Sequence, residues 1–231
     1  MTQLLLDVGN SRIKWAYLLD GGRLEAGGAA PHGGDPAAIT DRIADRGIER
    51  AWAANVTGPA LGRPLDSAVQ ARFGVPLQFA EVSAERSGLR VAYADASRLG
   101  VDRWLSMLVL WLEQPGAFVV ASAGTALTFD AVGESGQHLG GVIAPGLMTA
   151  QLAVLDATRF PADGPQPAYE SGLGDDTESC VRQGALHACA GLVERLAARY
   201  GAGTTRRVLT GGDAPALAPR LAGTWIQRPD L

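Results

Sequence analysis

The sequence predicts an α/β protein built from two similar halves, and two observations carry that prediction. Short apolar runs bounded by Gly, Pro and Asn alternate with stretches of helical periodicity, the pattern of a layered α/β domain. A strand, Gly turn and returning strand at Leu4 to Trp15 also comes back at Ala117 to Asp130. Aligning Gly9 with Gly124 sets Asn10 on Thr125 and Asp7 on Ser122, at an offset of half the chain. Self-similarity at that spacing predicts a duplicated domain, with halves 1–115 and 116–231.

In the first half, Leu4-Leu5-Leu6-Asp7-Val8 reads as a buried strand that ends near Asp7. Gly9 permits a sharp turn or a close ligand, and Asn10 and Ser11 add polar groups. Successive turn amides can form an anion-binding nest. A carboxylate beside such a nest is satisfied by a cation and a nucleotide phosphate together, although either hairpin alone also reads as an ordinary β-hairpin. Gly21-Gly22 marks a turn and Arg23 to Ala29 a strand. A helix is expected from the N-cap Asp35 through Pro36, Ile39 and Ile43 to Gly47. Ala51 to Val56 reads as a strand, Pro59 to Phe73 as a helix weakened at its start by Pro64, and Leu77 to Val82 as a strand. A polar loop from Tyr93 ends in Gly100-Val101-Asp102-Arg103, and a helix follows until Gln114-Pro115-Gly116. Asp102 has two readings. It is a helix-start acid that satisfies free amides and the dipole, or a general base beside a substrate-binding arginine, Arg103.

The second hairpin opens the second half. Leu139 to Gly146 is a Gly-rich strand and turn, with glycines that permit close packing or leave room for a ligand. Leu147 to Ala157 reads as a helix. Pro161 to Gly174 reads as a long loop, a candidate flap or interface element. Asp175 to Glu178 opens a long helix with acidic capping chemistry that ends at Gly201. Gly184 and Gly191 on it suggest close helix approach, within the chain or across a dimer. His32, His138 and His187 read as structural. Arg207 to Leu209 is a strand running into Thr210-Gly211-Gly212-Asp213, then a helix-like Ala214 to Leu221 and a last short strand at Trp225-Ile226.

Composition narrows the function. With 47% hydrophobic and 19% charged residues, the chain can bury a core and is not disordered. A net charge of −4 and no basic run speak against nucleic-acid binding. No apolar stretch approaches the ~20 residues of a membrane span. The N-terminus lacks the basic region and cleavage site of a signal peptide. Cys180 and Cys189 fall on different faces of one expected helix, which predicts no disulfide and fits a reducing cytoplasm.

Asp7-Val8-Gly9-Asn10-Ser11, Gly100-Val101-Asp102-Arg103-Trp104, Gly124-Thr125-Ala126, Gly140-Gly141 with Pro145-Gly146, Asp176-Thr177 and Thr210-Gly211-Gly212-Asp213 occur in that order. Together they resemble the type III pantothenate kinases, of the acetate and sugar kinase, heat-shock ATPase and actin superfamily. The resemblance implies two duplicated ribonuclease-H-like domains with nucleotide in an interdomain cleft. It implies ATP-dependent phosphorylation of pantothenate to 4'-phosphopantothenate, the first step of coenzyme A biosynthesis, by a cytoplasmic homodimer. Asp102 would be the general base and Asp7 would hold magnesium, through water. Asp7, Val8, Gly9, Asn10, Ser11, Arg12, Ile13 and Lys14, with Gly124, Thr125, Gly211 and Gly212, would bind ATP. Tyr93, Gly100, Val101, Arg103 and Thr177 would contact pantothenate. Potassium or ammonium would sit at the position of Ser122. Many members carry aspartate there, and a neutral serine predicts weaker dependence on such a cation. The chain also stops at Leu231 where many members continue with a strand and short helix, which predicts a last sheet edge that is incomplete or supplied otherwise. A catalytically weak regulatory protein and another small-molecule kinase of the superfamily are the alternative readings.

Overall fold

A computed structural model of the chain describes residues 1–159, 169–170, 172–203, 205–229 and 231. The chain divides into two compact units, one of residues 1–83 with 97–105 and the other of 84–96 with 106–231.

The first unit opens with β1 (Thr2–Val8) and β2 (Arg12–Leu18), paired antiparallel so that Asp7 lies across from Lys14. β3 (Leu24–Pro31) pairs antiparallel with β2. β4 (Ile48–Asn55) joins the other side of β1 in parallel, then comes α1 (Pro59–Phe73) and β5 (Leu77–Phe79), parallel to β4. The sheet order is β3-β2-β1-β4-β5. Strand alternation explains the core. Leu4, Leu6 and Val8 of β1 are buried beside Ile13 and Tyr17 of β2, Ala51 and Ala53 of β4, and Leu65 and Val69 of α1. Asp7 falls on the opposite face, where its carboxylate stays half exposed. Each of the large apolar side chains contributes about 1.5–3 kcal/mol by leaving water.

One expected element differs. Residues Pro36–Arg42 form a 3₁₀ helix, not an α-helix reaching Gly47. Asp35 is its N-cap as expected, accepting from the Ala37 and Ala38 amides. The Thr40 hydroxyl donates to the Ala37 carbonyl at 2.8 Å, a local bond that competes with helical extension, and Ile43 is already extended.

The second unit begins with a hairpin of β6 (Glu85–Arg86) and β7 (Leu89–Arg90) that the sequence reading did not find. Its turn residues Ser87 and Gly88 have φ of 52° and 89°, the left-handed pair of a tight hairpin turn. α2 (Val101–Glu113) starts in the first unit and ends in the second. Trp111 on it donates to the Ser87 carbonyl at 2.9 Å and so anchors the hairpin. β8 (Phe118–Ala123), β9 (Ala126–Val132) and β10 (His138–Pro145) form an antiparallel meander. α3 (Leu147–Ala157) and α4 (Thr177–Tyr200) follow. β11 (Arg206–Thr210) then pairs parallel with β8. After α5 (Ala214–Leu217), β12 (Ile226–Gln227) pairs parallel with β11. The order β10-β9-β8-β11-β12 repeats that of the first sheet strand for strand, with the two-residue β12 at the fifth, edge position.

Asp176 caps α4 reciprocally. It accepts from the Ser179 amide at 2.8 Å while its own amide donates to the Ser179 hydroxyl. Leu186, Cys189, Ala190, Val193 and Ala197 of α4 cover Val119, Ala121, Leu127 and Phe129 of the sheet. The loop expected over Pro161 to Gly174 lies mostly outside the described residues.

Candidate active site

In the first unit, the turn between β1 and β2 is closed by the Gly9 amide, which donates to the Arg12 carbonyl at 3.0 Å. Asn10, Ser11 and Arg12 are exposed on it, whereas Val8 and Ile13 are fully buried. Those two can meet a ligand only through their main chain. Lys14 Nζ lies 3.4 Å from Asp7 Oδ2, an exposed pair worth little as a stabilising ion pair. A pair held that loosely leaves both groups free to meet a phosphate and its cation.

The same unit holds Asp102 in the first turn of α2. Its Oδ1 accepts from the Arg103 amide at 2.8 Å, so it does serve the helix start. Three features go further than a cap. Crowding by protein raises the Asp102 carboxyl above its ordinary value, the Asp7 carboxylate adds to the rise, and the Arg103 amide and guanidinium offset it only in part. Gly100 makes room for it, since a Cβ there would come within 2.6 Å of Asp102 Oδ1. Arg103, 7% exposed, is held at the base of the helix. A carboxylate lifted by desolvation and a neighbouring like charge holds a proton more readily than an ordinary aspartate.

In the second unit, Gly124 and Thr125 form the turn between β8 and β9. The Thr125 carbonyl accepts from the Gly146 amide at 3.1 Å and from the Thr149 hydroxyl at 2.6 Å. A Cβ on Gly146 would come within 1.8 Å of the Gly124 carbonyl oxygen. The Pro145-Gly146 motif is therefore a brace for this turn, a role its sequence position did not reveal. Gly211 and Gly212 follow β11, and the adjoining Asp213 amide donates to the Ala123 carbonyl at 3.0 Å. Burial, with Asp213 adding, pushes the Cys189 thiol to about 11, so it stays protonated and unreactive at neutral pH. Thr177 is exposed at the start of α4.

Ser122 lies between Thr128 and Thr210 in strand register. Asp130, farther along β9, faces Val120. It is 1% exposed and sits 3.0 Å from His138 Nε2. His138 Nδ1 in turn accepts from the Ala92 amide, and the Tyr93 ring lies parallel to the imidazole. His138 is thus structural, as expected, and fixes the segment that carries Tyr93. Among the described residues no cluster of three or more His, Cys, Asp or Glu could cage a metal.

Two sheets of identical strand order, each with a polar turn after its central strand, define the fold class of actin-like ATPases and sugar kinases. A solved structure with this fold is the activator of the 2-hydroxyisocaproyl-CoA dehydratase from Clostridium difficile, which contains bound ADPNP. It is 13% identical, with a TM-score of 0.55 over 100% of this chain and 89% of its own. The sequence matches the type III pantothenate kinase family over residues 3–199. The type III pantothenate kinase of Laribacter hongkongensis is 37% identical over 95% of this chain and 90% of its own length. That of Nitrosococcus oceani is 32% identical over 99% and 90%. The chain belongs to the type III pantothenate kinase family, whose reaction is the phosphorylation of pantothenate in coenzyme A biosynthesis.

Proposed function

We propose that this chain transfers the γ-phosphoryl group of ATP to the primary hydroxyl of pantothenate, with Asp102 as the general base. The observation that carries this reading is the raised Asp102 carboxyl in a space cleared by Gly100 and beside buried Arg103. As the hydroxyl oxygen forms its bond to the γ-phosphorus, its proton passes to Asp102. The bond from that phosphorus to the bridging oxygen breaks, and ADP leaves with the electron pair. In the first unit Arg103, with Gly100 and Val101, orients pantothenate; Tyr93 and Thr177 are proposed as pantothenate contacts on the family resemblance. Amides of the Gly9 to Lys14 turn and of Gly124-Thr125 each bind phosphate, and Gly211-Gly212 meet the nucleoside. Alignment and charge neutralisation supply most of the acceleration in phosphoryl transfer.

Magnesium fits the residues present. It keeps several waters and takes one or two carboxylates plus substrate phosphates, and a half-exposed Asp7 offers that. When bound, it would neutralise phosphate charge. The hydroxyl-bearing neighbours of Ser122 supply no negative charge for potassium or ammonium, which favours weak dependence on either.

The duplication of halves 1–115 and 116–231 is supported by the repeated strand order. A homodimer formed mainly through the second half is supported by exposed Leu139, Val142 and Ile143 on β10 and Leu152 and Val154 on α3. A cytoplasmic location fits two free cysteines and the absence, among the described residues, of a helix long and apolar enough to cross a membrane. The test is mass detection of phosphorylated product from ATP and a panel of small hydroxy acids. Product with pantothenate above all others is expected. Turnover with another acid alone, or none at all, would overturn the reading.

A further inference from the structure

His32 follows β3, 23 residues along the chain from Gly9, and is 7% exposed. Its ring is held at both nitrogens. Nδ1 lies 3.1 Å from the Gly34 amide, which can only donate, and Nε2 lies 3.0 Å from the Gly9 carbonyl, which can only accept. Those two partners select one neutral tautomer, with the proton on Nε2. The main-chain amide of His32 also donates to the Ser11 carbonyl at 3.3 Å. One residue therefore grips two carbonyls of the Asp7 to Ser11 turn. Gly33 and Gly34, at φ of 58° and 88°, fold the chain back so that the Gly34 amide meets the ring, and the imidazole has little freedom left.

The geometry points to His32 as a positioning residue for the ATP turn: it holds the Gly9–Asn10 peptide so that the Asn10 amide is presented away from the ring, to phosphate. A trans peptide is planar, with C=O and N–H on opposite sides. Pinning the Gly9 carbonyl to His32 therefore fixes the direction of the next N–H. Without the ring, the peptide can rotate, and phosphate binding must first restore its orientation. The inference rests on the reading that this turn binds the phosphates of ATP.

The two amide side chains separate the two contacts. His32→Asn can still accept from Gly34 but is too short to reach Gly9. His32→Gln can extend its N–H toward the Gly9 carbonyl. Steady-state kinetics with ATP and pantothenate varied independently, beside titration calorimetry with MgADP, compare wild type, His32→Leu, His32→Asn and His32→Gln. His32→Leu and His32→Asn are expected to raise the KM for ATP and the Kd for ADP about 5–10-fold, the loss of one hydrogen bond. The KM for pantothenate should move less than twofold, and His32→Gln should bring both nucleotide constants back to within about twofold of wild type. Should His32→Leu fail to fold, the Asn and Gln variants carry the comparison alone. Equal nucleotide constants in His32→Asn and His32→Gln, or an effect confined to pantothenate, overturn the proposal. A wild-type protein that binds ADP but does not phosphorylate pantothenate overturns the functional reading alone. One that binds no nucleotide overturns both.

Discussion

Replacing Asp102 by Asn removes one chemical capacity and leaves the surrounding geometry in place. The Asn oxygen can still accept the Arg103 amide that Asp102 Oδ1 takes at 2.8 Å, and Asn caps helices about as well as Asp. The room made by Gly100 and the placement of Arg103 do not change. What is lost is proton acceptance, worth about 10²–10⁴-fold where a side chain acts as general base. The loose transition state of phosphoryl transfer carries little bond to the incoming oxygen, so the lower part of that range applies. We expect kcat to fall about 10²–10³-fold, or about 3–4 kcal/mol at 1.36 kcal/mol per tenfold, with the Kd for ADP unchanged. Two pH experiments sharpen the test. In wild type, kcat/KM should rise with pH through the raised Asp102 value, at higher pH than an ordinary aspartate would give, and Asp102→Asn should lack that limb. Because the folded-state carboxyl is raised, its contribution to stability is full below the unfolded value and is lost as pH rises through the folded one. Asp102→Asn should therefore raise the denaturation midpoint at pH 7 and not in acid. A variant that retains more than a tenth of wild-type kcat would refute the base assignment and leave Asp102 as a helix-start acid.

Gly146→Ala puts a Cβ within 1.8 Å of the Gly124 carbonyl oxygen, a backbone atom that cannot swing aside. It should destabilise by about 1–3 kcal/mol, and an unchanged denaturation midpoint would contradict the bracing role. For Ser122, activity in sodium, potassium and ammonium salts at fixed ionic strength should differ less than about threefold in wild type, whereas Ser122→Asp should come to need potassium, because a partly buried charge beside phosphate requires a counterion. An absolute potassium requirement in wild type would show that neutral oxygens suffice.

The parts of the fold legible in the sequence were those set by neighbours in the chain. Both Gly-turn hairpins, the Asp35 cap and the acidic start of the long helix at Asp175 to Glu178 follow from local turn and cap chemistry. The β6–β7 hairpin was missed because Ser87 adopts a left-handed φ that serine rarely takes, with only the adjacent Gly88 as a signal. The Asp35 helix was overextended because Thr40 diverts its hydroxyl to a local carbonyl. Of the candidate site, Asp7, Asp102 and the two turns were picked out by residue type and order. The work of His32 and of Gly146 was not, since each acts on a carbonyl more than twenty residues away, and nothing in a linear pattern reports that distance.

The strand order of the second sheet also sets a schedule for its synthesis. β8 is central, and its run Phe118-Val119-Val120-Ala121 carries no charge. One of its edges is covered at once by β9, the next strand out of the ribosome. The other waits for β11, with Phe118 pairing to Arg206 only after α3 and α4 have been made. At about 5–20 residues per second that edge stays open for several seconds or more, an uncharged template for pairing with another chain. A chain cut after Tyr200 should aggregate on expression where the full chain stays dispersed, and a dispersed truncated product would show that α4 shields the strand unaided. The nascent chain, more than the finished enzyme, is where this fold is vulnerable.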